Sequence, residues 1–128
     1  MFLDNLGVRS KVLDLDEFDE VEFKTQKCVI FTVASFGEGD PTANAAQFHD
    51  WLVKQDDPSC LAGMQFAVFG LGNTQYPKFN GMGKSTDANL ERLGAKRFYK
   101  LGLGNADKDI EADFVDWSGD DLRKGWFF

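Results

Sequence analysis

The sequence predicts an α/β fold built on a doubly wound, mainly parallel sheet, and three observations carry that expectation. Strand-like runs alternate with helical periods along the chain, the order in which crossover helices join parallel strands. Two of the runs, Cys28–Ala34 and Gln65–Phe69, are almost continuously apolar, as strands covered on both faces are. Three glycine-containing loops each follow the carboxyl end of a strand-like run: residues 34–42, 70–73 and 102–105. In open α/β sheets, ligands bind in the crevice outside the carboxyl ends of the strands.

The elements follow in order. Val8–Leu15 alternates β-branched or aliphatic residues with polar ones, which predicts an edge or half-buried strand. Cys28–Ala34 is the first fully buried strand. Thr42 caps a helix running to about Lys54, with Phe48, Trp51 and Leu52 on one side. Gln65–Phe69 is the next buried strand. Phe79, Met82, Thr86, Leu90 and Leu93 recur at helical spacing, and Gly94 supplies a left-handed stop. Arg97–Leu103 reads as a fourth, more polar strand. Ile110, Phe114 and Trp117 mark a last helix, and Ser118–Asp121 breaks its pattern ahead of Trp126, Phe127 and Phe128.

With 128 residues, 43% of them hydrophobic, the chain is long enough for one real core and too short for two, so residues 1–128 form a single domain. Met1–Leu6 carries Asp4 and no basic residue, which excludes a secretory signal, and no apolar run is long enough to span a membrane. Cys28 and Cys60 lie in unlike contexts and read as free thiols of a reducing compartment. A net charge of −7 repels nucleic acid and anionic lipid and suits a basic protein partner.

Two lures carry no chemistry. Gly81–Thr86 looks like the phosphate loop of nucleotide triphosphatases, but that motif needs glycine where Lys78 stands, and the segment sits inside a helical period. His49 is the single histidine and has no Cys or carboxylate cluster beside it, so no metal or triad is built on it. The glycine loops are the better candidates, because glycine lets backbone amides approach a ligand closely. Phe36 and Tyr76 each lie just beyond a strand, and two such rings can hold a flat ring system between them.

These loops bear a family likeness. Residues 34–42, Ala34-Ser35-Phe36-Gly37-Glu38-Gly39-Asp40-Pro41-Thr42, resemble a loop of the diflavin reductases. Residues 66–76, from Phe66 through Gly70-Leu71-Gly72-Asn73 to Tyr76, are similar to a second element of that family. Phe79–Lys84 and Leu101–Gly104 continue the match. The likeness runs from about Val8 to Trp117 and is nearest to the FMN domains of NADPH–haemoprotein reductases, which serve cytochromes P-450. It implies a flavodoxin-like fold, FMN as cofactor, and single-electron transfer from an FAD/NADPH reductase partner to a haem-protein acceptor, with neither an NADPH nor an FAD site in this chain. The residues it implies for the cofactor are Ala34, Ser35, Phe36, Gly37, Glu38, Gly39, Leu71, Gly72, Asn73, Tyr76, Phe79 and Asn80. Phe36 and Tyr76 would lie on the two faces of the ring, with the Gly37–Glu38 peptide near its N5.

The chain also departs from the family. Phe36 stands where tyrosine is usual, and the acidic run after Gly104 reads Asn105-Ala106-Asp107-Lys108-Asp109. Asp107, Glu111 and Asp113 remain as the acidic surface for a basic haem protein. Met1–Gly7 resembles only the tail of the family's first helix. The expected fold is therefore a flavodoxin-like doubly wound sheet without its first, central strand and without the phosphate loop. The resemblance implies one piece of a larger diflavin reductase, cytoplasmic, or at the cytosolic face of the endoplasmic reticulum where the complete protein carries an anchor. The alternative is a non-catalytic interaction scaffold that keeps the fold and binds no flavin.

Overall fold

The computed structural model describes residues 11–119; the readings made on Met1–Gly7, on Val8–Ser10 and on Trp126–Phe128 lie outside the described residues. A 3₁₀ turn at Leu15–Glu17 leads into helix α1 (Glu20–Lys24) and strand β1 (Cys28–Phe36). Strand β2 (Asp40–Pro41) follows, then a 3₁₀ turn at Ala43–Ala45 that runs into α2 (Ala46–Lys54). The rest is β3 (Gln65–Gly72), α3 (Gly81–Arg92), β4 (Lys96–Arg97), β5 (Gly102–Asn105) and α4 (Ile110–Trp117).

β1 and β3 pair in parallel from Cys28 opposite Gln65 to Ala34 opposite Leu71. β5 joins the far side of β3 in parallel, from Phe69 opposite Gly102 to Gly72 opposite Asn105. β4 pairs with the start of β3 through Lys96 and Arg97, and β2 folds back antiparallel on Ser35 and Phe36. Parallel neighbours need crossover connections, and α2 and α3 supply them.

The alternation of side chains along a strand divides the core in two. Phe31 and Val33 of β1 and Phe66 and Val68 of β3 point to one face, where Phe48, Leu52, Met82, Leu90 and Leu93 of α2, α3 and the following turn bury them. Ala67 and Phe69 point to the other face, beneath Trp117 of α4. β3 is covered on both sides, which is why its residues 66–70 are all buried and why its sequence shows no polar alternation. Phe18, Phe23, Phe31, Phe48 and Trp51 extend the first face as an aromatic cluster with centroids 5.2–6.0 Å apart.

Three readings need correction. The described part of Val8–Leu15 is not a strand: residues 11–14 have no regular structure, and Asp14 caps the turn at Leu15 by accepting the Asp16 N–H. Leu15 and Phe18 instead pack against the first core, so the apolar positions of that segment go to helix-side packing rather than to a ladder. The fourth strand is broken, because the chain leaves the sheet after Arg97 and returns at Gly102. Trp117 meets the chain within this break, its indole N–H donating to the Lys100 carbonyl at 2.7 Å. Thr42 stands at the helix entry but makes no capping bond; its hydroxyl meets Asn44, and a 3₁₀ turn opens the helix. Gly94 does close α3 in the left-handed region, at φ +96°.

Both cysteines are free thiols. Burial pushes the Cys28 thiol up to about 11 from an ordinary 9.0. At neutral pH the folded chain should hold on the order of 100-fold less Cys28 thiolate than an unfolded one, and alkylation of that site should be slower to match. The raised value also has a sign for stability. Its contribution is intact below pH 9 and is lost as pH rises toward 11, since only the unfolded thiol ionises readily there. Mass-resolved alkylation at Cys28 across that pH range checks both statements.

Candidate functional site

The carboxyl ends of β1, β3 and β5 lie side by side in the sheet, and a cavity of about 400 Å³ opens there. Ser35, Phe36 and Gly37 wall it from β1, Leu71, Gly72 and Asn73 from β3, and Tyr76, Phe79 and Asn80 from the loop before α3. Of the twelve residues expected at a cofactor, Ala34, Glu38 and Gly39 are not among its walls. Sequence reasoning missed Pro77, Lys78 and Ile110 as wall residues. Ala106, from the altered run after Gly104, also lines the cavity.

The walls are fixed from behind. Gly37 and Gly39 take φ of +56° and +89°, which turns the first loop sharply back toward the sheet. A Cβ on Gly39 would stand 3.2 Å from Lys78 Cβ, so the two loops pack backbone to backbone. Ser35 serves the fold as well as the crevice wall: its Oγ accepts the Met82 N–H at 2.9 Å and holds the start of α3. Asn80, in the left-handed region at φ +55°, is fully buried and donates from Nδ2 to the Gly104 carbonyl at 3.0 Å. Its Oδ1 has no hydrogen-bond partner among the described residues.

Phe36 and Tyr76 contrast with this packed floor. Their side chains are 69% and 58% exposed, the behaviour of rings that a core has not taken up. Leu71 is also partly exposed beside them. Two open aromatic rings at the mouth of a cavity, above a floor of backbone and amide groups, fit a flat aromatic group with polar edges. Asp107 accepts from Gln75 Nε2, and Asp113 accepts the Asn105 N–H at 2.9 Å, so two of the three carboxylates expected to meet a partner also hold the chain's own loops.

A family model described as flavodoxin matches residues 3–117. The chain belongs to the flavodoxin family. It is 46% identical over 116 residues to the NADPH–cytochrome P450 reductases of Rattus norvegicus and of Homo sapiens, a stretch that covers 87% of this chain. The chain spans 17% of the length of those relatives. Among solved structures, oxidised flavodoxin 2 from Bacillus cereus superposes with a TM-score of 0.71 at 25% identity, over 97% of this chain and 81% of that one. A cysteine-to-serine mutant of flavodoxin from Pseudomonas aeruginosa gives a TM-score of 0.75 over 91% of this chain and 78% of that one; at 20% identity it speaks for the fold alone. Membership makes this an electron-transfer module of the flavodoxin type and implies FMN as its cofactor. Among the described residues no helix is long and apolar enough to cross a membrane.

Proposed function

We propose that this chain holds FMN in the crevice between Phe36 and Tyr76 and relays single electrons from an FAD/NADPH reductase partner to a haem-protein acceptor, as one domain of a larger diflavin reductase. The observation that carries this reading is the pair of open aromatic rings at the mouth of a cavity formed by three strand ends. Likeness to cytochrome P450 reductases over most of the chain supports the choice of donor and acceptor.

Bound FMN supplies one-electron chemistry that no side chain of this protein offers. The chain's own residues bind and orient. Phe36 and Tyr76 cover the faces of the ring, and the backbone at Gly37, Leu71, Gly72 and Asn73 meets its polar edge. Phe79 and Asn80 set the floor, and Ala34, Glu38 and Gly39 shape the first loop from outside the wall. The net charge of −7, with Glu111 beside Asp107 and Asp113, suits a basic haem-protein face, and its attraction should weaken as salt is added.

FMN titrated into the purified chain, followed by quenching of flavin fluorescence, tests the reading. Saturable quenching is expected, and Tyr76→Ala should weaken affinity by about tenfold through loss of one stacking face. A folded circular-dichroism spectrum with no quenching would sink the flavin reading and favour the interaction scaffold.

A further inference from the structure

Tyr76 stands on a short loop that closes mostly on itself. Its N–H donates to the Asn73 carbonyl at 3.1 Å, and the Gln75 N–H donates to Asn73 Oδ1 at 2.8 Å. The loop is tied to the end of β5 by one side chain, with Gln75 Nε2 also donating to Asp107 just beyond it. Asn105 Oδ1 accepts the Thr74 N–H at 3.0 Å, and Asn105 Nδ2 donates to Thr74 Oγ1 at 3.0 Å. Asn105 is itself held on the other side, since its backbone N–H donates to Asp113 Oδ2 of α4 at 2.9 Å. The next residue, Ala106, donates its N–H to the Gly72 carbonyl at 2.7 Å.

We propose that Asn105 is a positioning residue for the ring site, clamping the Tyr76 loop to β5 and passing the placement of α4 to Tyr76 through Asp113. The consequence for flavin rests on the function proposed above; the clamp itself is a property of the chain alone. Asparagine suits the task because its amide offers an acceptor and a donor to the two sides of one threonine. Alanine offers neither, and the Thr74 N–H then loses its partner. Aspartate offers two acceptors, and the Thr74 hydroxyl, which already lies 3.3 Å from Oδ1, can turn to donate. Asn105→Asp should therefore keep the clamp that Asn105→Ala breaks.

Two measurements on the full chain decide this. In the first, amide hydrogen exchange is followed without flavin. Asn105→Ala should speed exchange at residues 73–76 by about tenfold while Ala67–Phe69 of β3 stay protected, and Asn105→Asp should restore the parent rates. In the second, riboflavin, which lacks the phosphate and so reports the ring site alone, is titrated by fluorescence quenching. Asn105→Ala should weaken its binding by about fivefold, and should add nothing further in a Tyr76→Ala background. Unchanged exchange at 73–76, acceleration shared by β3, or fully additive losses in the double variant would each overturn the proposal. If the parent chain binds neither riboflavin nor FMN, the flavin reading fails, and the exchange data still decide the clamp.

Discussion

Gly72→Ala is expected to lower the stability of the chain by about 3 kcal/mol and to disorganise the crevice. A Cβ at that position would stand 2.6 Å from both Cγ and Oδ1 of Asn80, and 2.8 Å from its Nδ2. A Cβ on Gly70 would lie 2.5 Å from the same Oδ1, so the amide rests over both glycines of the strand. The Asn80 amide is thus laid flat on two glycines of β3 and stretches from there to the Gly104 carbonyl of β5. Forcing it away adds overpacking of about 1–3 kcal/mol to the cost of a buried carbonyl left without its donor, about 1–3 kcal/mol more. Urea unfolding followed by circular dichroism measures the sum. Removing the amide in Gly72→Ala/Asn80→Gly should recover the overpacking part, since glycine accepts the left-handed backbone at that position. A single variant within about 0.5 kcal/mol of the parent would mean that the amide moves aside freely.

That slot also marks the limit of what the sequence made legible. β1 and β3 are readable because strands covered on both faces need continuous apolar residues, and α3 is readable from Met82, Thr86 and Leu90 on one face and Gly94 at its end. The interruption of the fourth strand is not readable, because the residue that bonds the Lys100 carbonyl within it, Trp117, lies on an element still to come in the chain. The alternation at Val8–Leu15 satisfied the strand pattern, yet a pattern supplies no ladder partner, and its described part turns toward α2 instead. Within the crevice, glycine and aromatic residues announced the loops. Asn80 gave no such signal, being a polar residue whose burial follows from Gly70 and Gly72 on the preceding strand. Asp107 read as part of an acidic surface and Asn105 as a gap in the acidic run, although an Asn followed two residues later by an Asp is a turn former. Asn105 Oδ1 does accept the Asp107 N–H at 3.1 Å.

At the opposite end of the sheet, Arg97→Leu is expected to cost about 3 kcal/mol, the lower end of the range for stranding a buried charge. The Arg97 guanidinium grips Asp87 with two bonds, Nε to Oδ1 at 2.8 Å and Nη2 to Oδ2 at 2.7 Å, and it also meets Glu91. Hydrogen bonding to Asp87 raises the pKa of Arg97 further, so the guanidinium stays charged. The partners are unequal. Asp87 is almost fully buried on α3, while a third of the Arg97 side chain remains exposed. Losing Arg97 therefore leaves a carboxylate without compensation, whereas Asp87→Leu leaves a guanidinium that still has Glu91 and water, at about 1 kcal/mol. Replacing both residues by leucine should recover most of the larger loss, because neither charge is then stranded. β4 has only Lys96 and Arg97 to pair with β3, so this ion pair ties that edge to α3 while the Phe66 ring of β3, 5.5 Å beneath the guanidinium, packs it against the sheet. A double-mutant cycle by urea unfolding separates the two contributions. If Arg97→Leu and the double variant are equally destabilised, packing on Phe66 rather than charge is what fixes β4.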